Sequence, residues 1–231
     1  MHQTRLPEHI PVMNPLTNSP DVSEPFLLGP ELSHIASFGR SKFFNAKTTV
    51  YSQEDPADFS YLVAVGMVST PRLTRDGRRS IGDFHLPGAI FGMESGNSYT
   101  SSAEAMCNTY VICFARDCLE DLAGTDRLIE HELFNWYLHN SNRTAWLTLL
   151  LGRGSAIEKL AYFLLDVAER VPNGTRLNLP MSRTDIGDYL GLSSETVSRT
   201  FTTLRQQGLI AIDGHSVLLL KPKALNILAR S

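Results

Sequence analysis

Three side chains within five residues, Glu195, Ser198 and Arg199, carry the most pointed chemistry of the 231-residue chain. Counted at about 100° per residue from Glu195, Ser198 and Arg199 fall near −60° and +40°, while Val197, Phe201 and Leu204 gather near 200°. One helix face is therefore polar and the other apolar. A guanidinium can bond guanine bidentately, a carboxylate can accept from a cytosine amino group, and a hydroxyl can bond or pack beside them. The set suits base edges in a major groove. The alternative is a solvated face on which Glu195 and Arg199 simply pair at i, i+4.

Such a helix must be held against a duplex, and the surrounding sequence supplies the means. Ser182 followed by Asp185 is a capping signature that starts a preceding helix. Ile186, Tyr189 and Leu190 give that helix an apolar face, and Gly191 ends it. Ser193 or Ser194 caps the second helix, which runs to about Gln207. Gly187 at the crossing, Gly191 in the turn and branched Val197 inside make this helix-turn-helix spacing. The run LIAIDGHSVLLL, two apolar stretches around Asp213-Gly214, reads as a hairpin directly after the second helix, that is, a wing. Ser182, Thr184, Ser193, Ser194 and Thr196 lie at helix starts, where hydroxyls and amides can hold phosphates; each could equally be a cap and no more.

Upstream, residues 126–151 contain no Gly or Pro, and Ile129, Leu133, Trp136, Asn140, Arg143, Leu147 and Leu150 recur at alternating spacings of four and three. This predicts one helix of about 39 Å. Its stripe either packs on the chain's own body or forms a dimer seam with Asn140 and Arg143 fixing the register. Gly152-Arg153-Gly154 reads as a hinge, and a shorter amphipathic helix follows over about 156–170. From Lys47 to about Phe114 short apolar runs alternate with turn signals, Arg75-Asp76-Gly77 among them, which predicts an antiparallel roll or sandwich. Six of the twelve prolines fall in residues 1–30, an irregular arm. The predicted organisation is α+β: arm 1–30, β-roll 31–122, long helix and hinge 123–154, and a winged helix-turn-helix domain over 155–231.

Composition is that of a globular chain, with 42% hydrophobic and 19% charged residues. The start, MHQTRLPEHIP, has no signal-peptide core and no run suits a membrane span, so a cytoplasmic protein without membrane contact is expected. Lys and Arg outnumber Asp and Glu nine to seven over 155–231 within a chain of net charge −3. The excess is compatible with nucleic acid there. No Gly-x-Ser-x-Gly, Walker loop or paired metal-ligand spacing is present, and an enzyme is not expected.

Roll, long helix, hinge and winged helix-turn-helix, in that order, resemble the CRP/FNR superfamily of bacterial transcription regulators over about residues 30–225. The motif E-x-x-S-R at Glu195, Ser198 and Arg199 is similar to its FNR and FixK branch. The resemblance implies that these three residues read TTGAT half-sites in a TTGAT-N4-ATCAA palindrome of double-stranded DNA, as a homodimer. It also implies an activator that recruits RNA polymerase, in a low-oxygen or nitrogen-fixation programme. Cyclic-nucleotide-binding relatives place an Arg before Ser-Ala to clamp the phosphate; here Ser101 precedes Ser102-Ala103, although Glu94 remains. Iron-sulfur relatives use N-terminal cysteines, whereas Cys107 is the first of three here, with Cys113 and Cys118. No cofactor is expected. Cys107 and Cys113 read as buried small residues on one strand face, and Cys118 as the better redox candidate. The competing reading is a receptor whose roll binds an unidentified small molecule that gates DNA binding.

Overall fold

Alternating apolar and polar residues, punctuated by glycine turns, fold residues 40–115 into two antiparallel four-stranded sheets. The structure, a computed structural model, describes residues 30–172 and 174–229; the arm read over 1–30 lies, but for its last residue, outside them. One sheet has the order β1 (Arg40–Phe44), β8 (Thr109–Ala115), β3 (Phe59–Val65), β6 (Ile90–Phe91). The other has the order β2 (Thr49–Tyr51), β7 (Ala103–Ala105), β4 (Val68–Leu73), β5 (Arg79–His85). The run YLVAVGMVS is thereby divided between two strands. Gly66 makes the break at φ +92, where a Cβ would lie 2.5 Å from the Thr109 hydroxyl. Inside the roll Tyr51 stacks on Tyr99 with ring centroids 3.6 Å apart, and Tyr61 stacks on Phe91.

A short helix α1 (Pro30–Ala36), not anticipated from sequence, precedes the roll; α2 (Cys118–Thr125) and α3 (Arg127–Arg153) follow it. The Asp126 carboxylate caps α3 by accepting from the Leu128 and Ile129 amides. The helix continues through Gly152 and Arg153 and stops at Gly154, so the hinge is shorter than the glycines suggested. The stripe expected as a possible dimer seam turns inward instead. Ile129, Leu147 and Leu150 are buried, Leu133 and Trp136 pack on the roll, and Arg143 bonds Asp83. Packing on the chain's own body explains the whole stripe. The cysteine expectation also changes: Cys107 precedes β8 and packs with Met67, whereas Cys113 packs with the roll aromatics. Cys118 opens α2, and burial together with Asp121 pushes its thiol up, opposite to what a reactive thiolate needs.

Helix α4 (Ala156–Glu169) begins with a Ser155–Glu158 capping box and buries Leu160, Phe163, Leu164 and Val167. Then come β9 (Arg176–Asn178), α5 (Arg183–Leu190), α6 (Ser194–Gln206), β10 (Ile210–Asp213), β11 (Ser216–Leu219) and α7 (Pro222–Ala229). The wing hairpin β10–β11 gains a third strand, β9, in antiparallel pairing with β11. One apolar cluster joins this end to the roll: Phe84 of β5 meets Phe163 of α4 and Tyr189 of α5 at centroid distances of 6.0 and 5.2 Å. Beside these rings Arg143 grips Asp83, and Arg170 holds Asp166 at 2.6 Å and the Phe84 carbonyl at 2.9 Å. Burial alone would raise Asp83, but His85, Arg143 and Arg170 together hold it below the usual carboxylate range.

His85 lies in the same network, and burial pushes its imidazole down to about 4; the Asp83 carboxylate acts in the opposite direction, and the positive charges of Arg170 and Arg143 reinforce the burial. A histidine in the unfolded chain titrates near 6.5. Its contribution is therefore complete above that pH and is lost as pH falls toward the folded value. Urea unfolding should show about 2 kcal/mol less stability at about pH 5 than at about pH 7.5, and His85→Gln should flatten that slope.

Candidate nucleic-acid interface

Ser182 caps α5 reciprocally: its hydroxyl accepts from the Asp185 amide at 3.1 Å and donates to the Asp185 carboxylate, which accepts from the Ser182 amide at 2.9 Å. Gly191 ends α5 in the left-handed region at φ 63, and Ser193 caps α6 by accepting from the Thr196 amide at 3.1 Å. The turn between is tight because Gly187 lets the backbones touch. A Cβ there would lie 2.4 Å from the Leu192 carbonyl oxygen. Gly187→Ala is expected to cost about 1–3 kcal/mol by forcing the helices apart, measured by denaturant unfolding.

This turn sets the direction of α6. Val197, Phe201 and Leu204 are buried on its rear, against α4 and α5. Glu195, Ser198 and Arg199 face solvent on its front, with side-chain exposures of 76% for Glu195 and 71% for Arg199. Glu195 and Arg199 approach to 3.5 Å, and the Ser198 hydroxyl donates to the Ser194 carbonyl at 2.8 Å. An exposed pair of this kind contributes little, so both side chains can turn toward other partners. Thr184, Ser193 and Ser194 are also exposed, and Thr196 is half-buried. Ser182, by contrast, spends its hydroxyl proton on Asp185.

Two neighbours escaped the sequence reading. Thr202 is exposed on the same face, at about −20° on the count that places Arg199, so periodicity could have found it. Arg183 stacks over Phe201, with the guanidinium carbon 3.6 Å from the ring centroid, and burial holds it below its usual value. No local signal foretells that stacking. At the back of α5, Arg79 of β5 donates to Asp185 at 2.9 Å and to Asp188 at 2.6 Å, tying the roll to the helix-turn-helix.

At the roll, Glu94 accepts from the Thr100 amide and hydroxyl, both at 3.0 Å. A cavity of about 710 Å³ lies between roll and α3, lined among others by Glu94, Arg116, Trp136 and Asn140. Ser101 is not part of its wall. Among the described residues no three His, Cys, Asp or Glu side chains converge as a metal site would require. No described helix is long and apolar enough to cross a membrane.

A roll, a long connecting helix and a winged helix-turn-helix with a solvent-facing second helix define a two-part regulator. Comparison with known proteins agrees: the Cyclic nucleotide-binding domain family matches residues 41–126 and the Crp-like helix-turn-helix domain family matches residues 158–228. The chain belongs to the CRP/FNR superfamily of bacterial transcription regulators, in its FixK-like branch. It is 41% identical over 180 residues to the Nitrogen fixation regulation protein FixK of Rhizobium meliloti (strain 1021), covering 78% of this chain and 82% of that one. Identity to the Transcriptional activatory protein AadR of Rhodopseudomonas palustris is 38% over 196 residues, with 80% of each chain covered. The solved structure of FixK2 from Bradyrhizobium japonicum superposes with a TM-score of 0.75 at 39% identity, covering 82% of this chain and 96% of that one. The relatives are transcription regulators rather than enzymes.

Proposed function

We propose that the protein is a homodimeric transcription activator that reads a TTGAT-N4-ATCAA palindrome through Glu195, Ser198 and Arg199, with neither cyclic nucleotide nor iron-sulfur cluster. The observation that carries this reading is the polarity of α6, whose front is a solvent-facing Glu-Ser-Arg set while its rear is locked in the core. Thr184, Ser193, Ser194 and Thr196, with the amides at the starts of α5 and α6, are assigned to the phosphates. Ser182 contributes by shaping that helix start. Residues 31–122 serve as the front roll, 123–154 as the coupling helix and 155–231 as the reader. A cytoplasmic place and a contact with RNA polymerase follow from the activator reading.

The dimer seam in this proposal is the face of α3 opposite the buried stripe. Phe134, Leu138, Ser141, Ala145 and Leu149 recur there at helical spacing, and Phe134 and Leu149 are 58% and 64% exposed. Small Ser141 and Ala145, which also line the edge of the cavity between roll and α3, leave room there for a second such helix. Leu138→Arg should give a monomer by light scattering and weaken palindrome binding about a hundredfold, since the second half-site contact is lost.

The test is a gel shift of purified protein, without added ligand, on the palindromic duplex and on a scrambled one. Tight, selective binding supports the proposal; absence of selectivity at every salt concentration overturns it. The cavity between roll and α3 favours a second reading, a receptor gated by a small molecule. Selective binding only after a cell extract's small-molecule fraction is added would support that one.

A further inference from the structure

A second cavity, of about 420 Å³, opens where α3, α4 and α7 meet, and its volume suits a small molecule. Arg143 and Trp146 form its α3 wall, Tyr162, Asp166 and Glu169 its α4 wall, and α7 contributes Ala229. The mouth lies to one side of the row proposed as a dimer seam. Counted from Leu138 at about 100° per residue, Trp146 and Arg143 fall near 80° and 140°, so a partner helix on that row leaves the opening free.

The polar groups of the wall specify what could fill it. The Arg143 side chain is 9% exposed and spends its two terminal nitrogens on Asp83, with Asp166 3.5 Å away. Its Nε is buried and has no hydrogen-bond partner among the described residues. A guanidinium N–H left in that position calls for an acceptor. Charge narrows the choice. Arg143 and Arg170 are matched by Asp83 and Asp166, with Arg170 on Asp166 at 2.6 Å, so the floor has no net charge to offer an ion. Glu169 is exposed at the rim, where its carboxylate repels an anion and can accept from an N–H. Between floor and rim stand two aromatic rings. Trp146 is 44% exposed, and Tyr162 is half-buried and donates its hydroxyl to the Arg143 carbonyl at 3.4 Å. Such rings favour a flat partner.

We propose that this cavity binds an uncharged planar heterocycle of the lactam type, whose carbonyl accepts from Arg143 Nε, whose N–H donates to Glu169, and whose ring lies against Trp146 and Tyr162. The site is distinct from the cavity between roll and α3, and it does not depend on the reading of α6. Helix α3 joins the roll to the rest of the chain, while α4 and α7 belong to the reading half, so an occupant touches both halves at once.

The test exploits the two tryptophans of the chain, Trp136 and Trp146, which line different cavities. The full chain labelled with 5-fluorotryptophan gives one fluorine resonance for each, assigned with Trp136→Phe and Trp146→Phe. The probe is 2-quinolone, a bicyclic lactam; indole, which has an N–H but no carbonyl, and quinaldate, which carries a negative charge, are its controls. With 2-quinolone the Trp146 resonance should shift saturably with a Kd on the order of 1 mM, as befits so small a ligand, while Trp136 stays in place. Indole and quinaldate should each bind about tenfold more weakly. Glu169→Gln changes an exposed side chain and should weaken 2-quinolone about fivefold while narrowing its advantage over quinaldate, because the repelling charge is gone. Absence of a saturable shift at Trp146 would overturn the proposal, and so would equal binding of indole, which marks mere apolar contact with an exposed ring. A shift confined to Trp136 would place the probe in the roll cavity and overturn it as well. Unaltered affinity and selectivity in Glu169→Gln would remove the rim carboxylate from the site and defeat the assigned chemistry.

Discussion

Asp83→Ala is expected to destabilise the chain by about 3–5 kcal/mol, because it leaves buried Arg143 facing a gap where a carboxylate belongs. The Arg143 and Asp166 side chains are only 9% and 6% exposed, and Arg143 already has one nitrogen, Nε, without a partner. Water cannot easily replace the lost oxygens. Asp83 also spans three elements, being on β5, gripped from α3, and close to Arg170 just after α4 at 3.9 Å. Thermal unfolding should begin roughly 6–20 °C lower. If Asp83→Ala proves insoluble, Asp83→Asn keeps the shape and removes the charge, and a cycle with Arg143→Ala separates the pair energy from general damage. A change below about 1 kcal/mol would mean that the network behaves like a surface pair.

Arg199→Ala should weaken binding to the palindromic duplex by about 1–3 kcal/mol and leave scrambled DNA almost unaffected, so that base preference relaxes. The side chain is exposed and tethered only to an equally exposed Glu195, so its removal costs the fold little. Thr184→Ala makes the contrast, since loss of a backbone contact should weaken all sequences similarly. Titrations of both variants on both duplexes at fixed salt distinguish the roles. Equal loss for Arg199→Ala on scrambled DNA would remove it from the base-reading set.

Signals that act over a few residues were legible in the sequence. The Ser182–Asp185 box, the αL Gly191, the crossing at Gly187 and the Asp213-Gly214 wing all stand where local chemistry put them. The family followed from their order. The α3 stripe was harder, because helical periodicity reveals that a face is covered but not by what; Ile129 and Leu147 meet their own chain, and the outward row is interrupted by small and polar residues. Pairings across long separations, such as Arg143 with Asp83 or Arg79 with Asp185, leave no local trace at all. The same holds for Arg183 on Phe201, which depends on how α5 crosses α6.

The shared cluster in which Phe84 touches Phe163 and Tyr189 bears on how this molecule could be re-engineered. A chimera grafting the reading head of another regulator onto this front half would inherit foreign specificity only if the graft also carried rings and carboxylates shaped for β5. Swapping α6 surface residues alone leaves that joint intact and is the safer route to a new target sequence.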